Sequence, residues 1–453
     1  MSFPRYPMYK DSGVEWFDKV PEHWEVKAIK WLTPVQRGAS PRPIDDPKYF
    51  DDAGEYAWVR ISDVTACGTY LFETTQRLSD LGSSLSVKLQ PGDLFLSIAG
   101  SVGKACITQI KACIHDGFVY FPGLRYYQKY MYYIFEGGEA YKGLGKLGTQ
   151  LNLNTDTIGS IRIAVPSVEE ANQIVYFLDT ETARIDALVA KQEALIATLQ
   201  EKRCALISHA VTKGLDPNVP MKDSGVPWLG RVPAHWAVRK IKHFAQIGNG
   251  STPFRDNLAY WQNGTFPWLT STVVNDETIG EPTEFVTELA LKECHLPIVK
   301  PGSILVAITG QGKTRGMAAL LNYTATINQH MAFIEPKANS IDIRFFRLVL
   351  SGFYEILRMI SEGSGSTKGA LTCEDLANFS VPIPDLNEQQ EILAYVDAEV
   401  VQIDTLITKA EQFIALLREH RAALIAAAVT GQIDVRGYVA EDAPASIPAG
   451  GPA

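Results

Sequence analysis

Several features that define whole classes of protein are scarce or missing. The 453 residues include six cysteines, with no Cys-x-x-Cys pair and no metal-ligand spacing, so a disulfide framework and a structural zinc site are not expected. The longest apolar run, residues 422–429, falls far short of the ~18 residues that span a bilayer, and the first residues lack the apolar core of a signal peptide. We therefore expect a cytoplasmic protein whose cysteines are scattered, buried thiols.

Signatures of catalysis are missing as well. Gly312-Lys313-Thr314 suggests a phosphate-binding loop, but Ala307 stands where that loop needs a glycine. No histidine pair has the spacing of a zinc hydrolase, and no Gly-x-Ser-x-Gly elbow occurs. The chain also has no Pro-Pro pair, which excludes the Asn/Asp-Pro-Pro-aromatic loop of amino-methyltransferases. An enzyme acting alone is therefore disfavoured, and any base chemistry would belong to another chain.

Basic residues are fewer than acidic residues in the chain as a whole. Lys and Arg number 42 against 51 Asp and Glu, and the formal charge of -9 at first sight weighs against a nucleic-acid partner. Between Met221 and Asp256, however, six basic residues accompany only two acids. A local basic face is enough for phosphate contact, although each such group can equally be ordinary solvated surface.

What the chain does contain is one unit written twice. Tyr9–Pro41 and Met221–Pro253 share 15 of 33 residues without a gap, and 166–216 shares 22 of 51 with 384–434. Between these blocks, a Pro-Gly turn feeds an apolar strand that ends at Gly100 in the first copy and at Gly310 in the second. A fixed-offset repeat of this length predicts two similar globular parts.

Each copy ends in a segment that reads as one long helix. It begins after a Pro-containing turn, carries acids in its first turn and contains no further Pro or Gly until Gly214 or Gly431. Its apolar stripe includes Leu195, Leu406 and Phe413, together with positions that repeat every seven residues. About 44 residues would extend about 65 Å, longer than one such globule. We expect the two helices to pack antiparallel; the alternative is that each folds back on its own globule.

Polar loops occupy matching places in the two copies but differ in residue type. Arg and Lys suit guanine, Asn and Gln suit adenine, and Ser and Thr suit either base, so we predict that these loops read two different short DNA sequences. The alternative is that they are ordinary solvated loops. The predicted DNA-contacting residues are Ser101, Lys104, His115, Asp116, Thr149, Gln150 and Asn152 in the first copy, and Gln311, Lys313, Thr314, Arg315, Asn328, Gln329, His330, Ser366, Thr367 and Lys368 in the second.

These repeated blocks resemble the specificity subunit of type I restriction-modification enzymes. The resemblance rests on the K-D-S-G-V-x-W…V-P-x-H-W blocks, the Pro-Gly strands and the P-x-P-x-x-x-E-Q-Q-E-I…I-D-x-L-I segment at 382–407, and it covers residues 9 to about 436. The first copy departs from the pattern at Ala164 and at Glu170-Ala171, which leaves the geometry of the first helix junction open.

The resemblance implies an α+β fold in which two tandem globular α/β target recognition domains are separated by two long antiparallel helices, a coiled-coil spacer with pseudo-two-fold symmetry. The predicted boundaries are 1–165 and 216–383 for the domains, 166–215 and 384–435 for the helices, and 436–453 for a disordered tail. The helix residues expected at subunit interfaces are Ile185, Asp186, Leu199, Leu206, Ile403, Asp404, Leu417 and Leu424.

The resemblance also implies the partners. Each domain would read one half of a split double-stranded DNA target, and the helices would dock two modification subunits that methylate adenine. Restriction subunits would add translocation and cleavage. The chain itself would need no metal and no cofactor; S-adenosylmethionine, ATP and Mg would reside on the partner subunits. The main rival from another class is a coiled-coil scaffold that links proteins without DNA specificity.

Overall fold

The computed structural model describes residues 3–124, 126–141, 144, 153–310, 312–337, 341–363 and 369–440. The chain folds into two compact units with mixed helices and sheets: unit 1 comprises Met1–Gln192 and Gln412–Ala453, and unit 2 comprises Glu193–Glu411. Among the described residues, no helix is both long and apolar enough to cross a membrane. The duplicated α+β organisation predicted from the repeats is confirmed.

Unit 1 contains thirteen strands among its described residues. They are β1 (Tyr9–Val14), β2 (Phe17–Pro21), β3 (Glu25–Ala28), β4 (Gln36–Arg37), β5 (Tyr56–Val59), β6 (Tyr70–Leu71), β7 (Gln76–Leu78), β8 (Val87–Leu89), β9 (Leu94–Ser97), β10 (Ala105–Thr108), β11 (Ala112–Ile114), β12 (Phe118–Tyr120) and β13 (Arg162–Val165). Four shorter helices accompany them, α1 (Ile61–Ala66), α2 (Asp80–Ser84), α3 (Gln128–Glu136) and α4 (Thr155–Ser160), and the long helix α5 (Val168–Lys213) begins here.

Two sheets form the frame of unit 1. The larger has the order β4-β12-β9-β10-β6 and the smaller has the order β7-β5-β11-β8. Strand β9 is apolar at successive positions because both of its faces are covered: Leu94 and Leu96 enter the core shared with the long helix, whereas Phe95 enters a second core with Phe118. Burial on both faces explains the continuous apolar run that the sequence shows there.

In the part of unit 2 that the structure describes, the same plan recurs with eleven strands. They are β14 (Met221–Asp223), β15 (Arg231–Pro233), β16 (Ala237–Lys240), β17 (Ala245–Asn249), β18 (Phe266–Leu269), β19 (Phe285–Val286), β20 (Ser303–Ala307), β21 (Ala318–Leu321), β22 (Thr326–Ile327), β23 (Met331–Pro336) and β24 (Ser380–Ile383). The helices are α6 (Glu288–Glu293), α7 (Ile343–Gly352), α8 (Tyr354–Gly363), α9 (Cys373–Asn378) and the long α10 (Leu386–Val429). The sheets β17-β23-β20-β21 and β19-β18-β22 correspond to the two sheets of unit 1.

The long helices begin and end where the sequence predicts. Ser167 caps the start of α5 by accepting a hydrogen bond from the Glu170 amide, and Asp385 caps α10 in the same way through the Glu388 amide. Both helices are followed by a glycine with positive φ, Gly214 at 73° and Gly431 at 72°. A left-handed glycine is the usual helix stop, so these residues determine the ends.

The repeated Pro-x-His-Trp turn packs against the ends of the long helices. In unit 2, His235 Nε2 lies 2.8 Å from Glu388 Oε2, and Trp236 Nε1 donates to the same carboxylate at 2.9 Å. A Cβ added to Gly214 would come within 3.3 Å of the Trp236 ring. Unit 1 has the equivalent contact between His23 and Glu170, at 3.1 Å. The repeated blocks therefore mark helix junctions, which explains why they are so similar in sequence.

Within each unit, portions of the two long helices pack antiparallel. In unit 1, Asp186 bonds Arg421, while Glu181, nearer the start of α5, bonds Tyr438, which follows α10. In unit 2, Ile207, Ala210 and Val211 of α5 enter one core with Ile392 and Val396 of α10. The alternative in which each helix folds back only on its own globule is therefore wrong.

The helix residues predicted at interfaces face inward. Ile185, Leu199, Ile403, Leu417 and Leu424 are buried within the chain, and Leu206 is half-buried. The two aspartates form matching ion pairs: Asp186 Oδ1 lies 3.0 Å from Arg421 Nε in unit 1, and Asp404 Oδ1 lies 3.5 Å from Arg203 Nε in unit 2. Ile185, Leu417 and Leu424 share one core of unit 1, and the two aspartates join the helices by ion pairs. A role of the eight residues at interfaces with partner subunits stays a prediction.

Three residues of the predicted stripe differ from the prediction. Leu195, Leu406 and Phe413 are exposed, because the buried face also uses positions four residues beyond each heptad site, such as Ile414. The start of the predicted disordered tail is ordered, since Tyr438 packs on Phe177 with ring centroids 4.8 Å apart. Residues 441–453 lie outside the described residues, and the predicted domain boundaries stay predictions.

Candidate nucleic-acid interface

The two predicted reading loops meet in each unit through one backbone hydrogen bond. In unit 1, the Ile98 amide, at the end of β9, donates to the Gly117 carbonyl at 2.8 Å. In unit 2, the Ile308 amide, at the end of β20, donates to the His330 carbonyl at 2.9 Å. The loop after the apolar strand and the turn before the next strand of the sheet therefore form one surface in each copy.

A repeated glycine brings a third segment to this surface. The amides that follow Gly38 and Gly250 donate to the carbonyls of Ile114 and Ile327, each at 3.1 Å. A Cβ on Gly38 would lie 2.2 Å from the His115 carbonyl oxygen, and one on Gly250 would lie 1.8 Å from that of Ile327. Only glycine permits this approach, which is the physical reason that both copies retain it. We call the two surfaces reading surface 1 and reading surface 2.

In reading surface 1, Asp116 is the centre of a polar cluster. Its carboxylate accepts hydrogen bonds from Ser40 Oγ and Arg42 Nη2, both at 3.0 Å, and its carbonyl accepts from Arg37 Nε at 2.6 Å. Burial opposes ionisation, but the Ser40 hydrogen bond and the nearby arginines outweigh it and lower the pKa of Asp116. The carboxylate therefore stays charged, and each of its oxygens already accepts one hydrogen bond, Oδ1 from Ser40 and Oδ2 from Arg42.

The other predicted residues of unit 1 lie around this cluster. His115 Nδ1 accepts from the Gly117 amide at 2.9 Å, and burial lowers the pKa of His115, which favours the neutral ring. Ser101 is exposed and its hydroxyl lies 3.4 Å from Thr65 Oγ1, at the end of α1. The Lys104 amide donates to Ser97 Oγ at 3.0 Å. The structure thus places Ser101 and Lys104 on the loop after β9 and His115 and Asp116 on the turn before β12, and the Ile98–Gly117 hydrogen bond joins these two segments.

Reading surface 2 has different chemistry on the same frame. Gln329 and His330 are exposed, and Gln329 bonds the Thr252 hydroxyl, which occupies the place of Ser40. His330 Nδ1 lies 2.7 Å from Thr309 Oγ1, on the loop after β20. Asn328 is buried and its side chain accepts from the His330 amide at 3.0 Å. Gln329 Nε2 and His330 Nε2 lie 3.3 Å apart, so the two exposed side chains are joined to each other as well as to Thr252 and Thr309. Asn328 therefore shapes the turn, whereas Gln329 and His330 form an exposed, hydrogen-bonded polar pair.

The loop that follows Gly310 contains one accessible cation. Lys313 is exposed and its carbonyl accepts from Tyr354 Oη at 2.6 Å. Arg315, in contrast, is buried: its guanidinium donates to the Gly369 carbonyl at 2.8 Å and pairs with Glu362 at 3.1 Å. Thr314 Oγ1 lies 3.4 Å from Asn275 Oδ1. Lys313 is therefore open to solvent, whereas the Arg315 guanidinium is used to hold the loop. The DNA contacts expected of both residues stay predictions.

Sequence reasoning missed the residues that the third segment contributes. Ser40, Arg42 and Thr252 carry no motif, and their role follows only from the glycine contact that places them beside Asp116 and Gln329. Phe254 was also missed: its side chain is 69% exposed, while its carbonyl is fixed by Trp261 Nε1 at 3.1 Å. The nearby Arg255 stacks on the Trp261 ring at 4.1 Å. The repeat of Gly38 and Gly250 was the one signal that pointed here.

Seven predicted contacts lie outside the described residues, so the structure assigns them no place. They are Thr149, Gln150 and Asn152 in the first copy and Gln311, Ser366, Thr367 and Lys368 in the second.

Comparison with known proteins agrees with this arrangement. A family defined as the type I restriction modification DNA specificity domain matches the chain twice, over residues 21–197 and 233–412. The chain belongs to this family. The two matches coincide with the two copies of the repeat, so each reading surface is part of one specificity domain.

Curated relatives from the same family differ in how much of the chain they match. A type I restriction enzyme specificity subunit from Escherichia coli is 26% identical over 169 residues, which is 36% of this chain and 41% of that protein. The MjaIX specificity subunit from Methanocaldococcus jannaschii is 34% identical over 178 residues, 37% of this chain and 39% of that protein. The chain thus spans about two fifths of these relatives. The MjaX specificity subunit of the same organism matches at 23% over 441 residues, 92% of this chain and 95% of that one.

A solved structure described as the structural basis of complex assembly and conformational transition of the type I R-M system has the same fold. It superposes with a TM-score of 0.67 at 16% identity and covers 91% of this chain and 99% of that one. At this identity the likeness concerns the fold alone.

Proposed function

We propose that this chain is the non-catalytic DNA specificity subunit of a cytoplasmic type I restriction-modification complex, in which each unit reads one half of a split duplex target. The half-site read by unit 1 is the first half-site, and the other is the second. One observation carries the proposal: a shared backbone frame presents Asp116 in one unit and Gln329 in the other. A carboxylate accepts from cytosine N4 and an amide bonds adenine in a bidentate way, so one frame supports two different readings.

Partner subunits enter this proposal through the long helices. Exposed apolar side chains occur along them, namely Tyr176, Leu195, Tyr395, Val401, Leu406, Phe413 and Leu416. Apolar side chains on helix faces left open to water suit a protein interface. We assign these faces to the modification and restriction subunits, which would supply S-adenosylmethionine, ATP and Mg as well as the chemistry. The net charge of -9 supports the dependence on partners, because it weakens phosphate attraction by the chain alone.

Selection of DNA tests the proposal directly. The chain, alone and with its modification subunits, is incubated with random duplexes, and the bound fraction is sequenced. We expect a split motif that survives competition by bulk DNA when the modification subunits are present. Binding of protein partners with no preferred DNA sequence would contradict the proposal and would favour a coiled-coil scaffold. Methyl transfer by the isolated chain would contradict the non-catalytic role.

The spacer role has its own test. Because the buried stripe repeats every seven residues, a seven-residue insertion after Gln192 needs a matching insertion after Glu411 to preserve helix packing. We expect the double insertion to lengthen the unread gap and leave both half-sites unchanged. Insertion in α5 alone is the control, and it should destabilise the chain. A change in half-site bases with the double insertion would overturn the spacer role.

A further inference from the structure

Two of the three cysteines of unit 1 lie together, although the sequence suggested scattered thiols. Cys67, directly after α1, and Cys106, on β10, have their Sγ atoms 3.2 Å apart, although 39 residues separate them in the chain. Cys106 is fully buried, whereas Cys67 is partly exposed between the exposed Ala66 and Gly68. Solvent can therefore approach Cys67, whereas the Cys106 sulfur lies in the protein interior next to the Cys67 sulfur.

We propose that Cys67 and Cys106 are an oxidative modification site, at which a hydroperoxide converts the two thiols into a disulfide that alters reading surface 1. The effect on DNA rests on the function proposed above; formation of the bond does not.

The environment of each thiol suits a different step. The hydrogen bond from Cys106 is the largest influence on Cys67 and lowers its pKa; burial opposes this shift, while the charge of Lys104 adds to it. The same hydrogen bond, followed by burial, raises the pKa of Cys106 far above the ordinary thiol value. Cys67 is the sulfur that meets the oxidant, because it is partly exposed and the thiolate is the reactive form. Cys106 is the resolving sulfur because it lies 3.2 Å away, and the hydrogen bond that raises its pKa is lost once Cys67 has become a sulfenic acid.

The atoms and electrons balance with the hydroperoxide as the only oxidant. The Cys67 thiolate attacks one peroxide oxygen, the O–O bond breaks, and the released hydroxide takes up the proton lost by Cys67 and leaves as water (for an organic peroxide, the alcohol). The Cys106 sulfur then attacks the Cys67 sulfenic acid. An S–S bond forms, the S–O bond breaks, and the Cys106 proton leaves with the hydroxide as water. The two thiols lose two electrons, which the peroxide accepts.

The disulfide would act on reading surface 1 through α1. Bond formation requires the sulfurs to close from 3.2 Å to about 2.05 Å. Cys67 follows α1, whose Ile61 side chain packs against Gly100 and whose Thr65 hydroxyl lies 3.4 Å from that of Ser101. Movement of Cys67 by about 1 Å would therefore shift α1 and, through these contacts, displace the loop that carries Ser101 and Lys104.

Unit 2 supplies an internal control. Cys106 lies opposite Phe95 in the pairing of β10 with β9, and Ala319 lies opposite Leu305 in the matching pairing of β21 with β20. The second copy therefore has alanine where the first has the buried thiol. Oxidation should alter recognition of the first half-site and leave the second unchanged.

The chemical test uses the full-length chain in a Cys204→Ser background, because Cys204 is an exposed thiol that could cross-link molecules. After treatment with hydrogen peroxide, peptide mapping without reductant should show residues 67 and 106 joined, with the loss of two hydrogens, and dithiothreitol should reverse the link. Cys106→Ala, the residue found in unit 2, should abolish the link and leave Cys67 to accumulate as sulfenic acid. Absence of the linked peptide in the parent chain would overturn the proposal.

The functional test uses the complex with modification subunits and duplexes that retain only one intact half-site. Peroxide should weaken preference for the first half-site by about tenfold, with no change at the second and none in the Cys106→Ala variant. Equal loss at both half-sites would overturn the effect on reading surface 1. A complex with no sequence preference before treatment would instead contradict the proposed function, while the linked peptide would still report on the thiol pair.

Discussion

Reading surfaces 1 and 2 share their backbone frame and differ in the charge, exposure and hydrogen-bond partners of their side chains. Asp116 is charged and already bonded by Ser40 and Arg42, whereas Gln329 is neutral, exposed and bonded by the Thr252 hydroxyl and the His330 ring. The frame is set by backbone amides and carbonyls and by one glycine, and the side chains of Asp116 and Gln329 take no part in it. In the proposed function, base preference could therefore change at these two positions without disturbing the sheet.

The largest expected effect comes from replacing the shared glycine in one unit at a time, which tests whether each reading surface depends on its own backbone frame. Gly250→Ala would place Cβ 1.8 Å from the Ile327 carbonyl oxygen, so the backbone must move, at a cost of about 2–3 kcal/mol. We expect about a hundredfold weaker binding of duplexes that carry only the second half-site. Gly38→Ala should do the same for the first half-site, and Gly280→Ala, with open space around it and outside the predicted loops, is the control.

Each glycine variant carries its own check on folding, because the other half-site reports whether the rest of the chain is intact. Loss of both half-sites in either variant would mean that the two frames do not act separately.

The next largest effect concerns the exposed amide. Gln329→Ala should cost about 1–3 kcal/mol at one base pair of the second half-site, because a bidentate contact with adenine is lost. Thr252→Val removes the hydroxyl that orients the amide and should give a smaller loss at the same base pair. Competition between duplexes that differ at single positions measures both. A uniform loss across all sequences would exclude base reading by Gln329.

The charged cluster of unit 1 gives a prediction for specificity and for pH. Asp116→Asn removes the charge that occupies Arg42, so we expect tighter binding to all duplexes and about tenfold less preference for the first half-site. Asp80→Asn, on α2, is the matched control.

Because the pKa of Asp116 and that of His115 are both lowered, neither group changes charge at pH values above their ordinary pKa values of about 3.9 and 6.5.

Binding of the first half-site by the wild-type protein should therefore be constant between about pH 7 and pH 8. A titration of affinity across that range would contradict the assigned charge states of Asp116 and His115.

The smallest effect separates the two cations of the loop after Gly310. Lys313→Ala should weaken binding to all duplexes alike and reduce the salt dependence by about one phosphate contact. Arg315→Ala should instead lower thermal stability and loosen the second half-site, because its buried guanidinium holds Gly369 and Glu362. Affinity measured at several salt concentrations, beside thermal unfolding, distinguishes them. Identical behaviour of the two variants would contradict the different burial.

Much of the architecture could be predicted from sequence because it depends on local chemistry and on repetition. The repeat fixed the number of units, Gly214 and Gly431 fixed the helix ends, and the apolar strand was recognisable because both of its faces are buried. The sequence could not show that Arg315 is buried, because its partners Gly369 and Glu362 lie about 50 residues away in the chain. Proximity of that kind depends on packing alone.

The sequence by itself determined that one α+β unit occurs twice, that each copy ends in a long helix, and that the loops of the two copies differ while their frames agree. Periodicity, capping residues and repeats depend on the order of residues along the chain, so they can be recognised from the sequence alone. Only the tertiary structure decided that Ser40 and Thr252 accompany the predicted readers, that Asp186 and Asp404 pair with arginines of the opposite helix, and that two distant thiols touch. Those contacts join residues far apart in the chain, and only close packing brings them together.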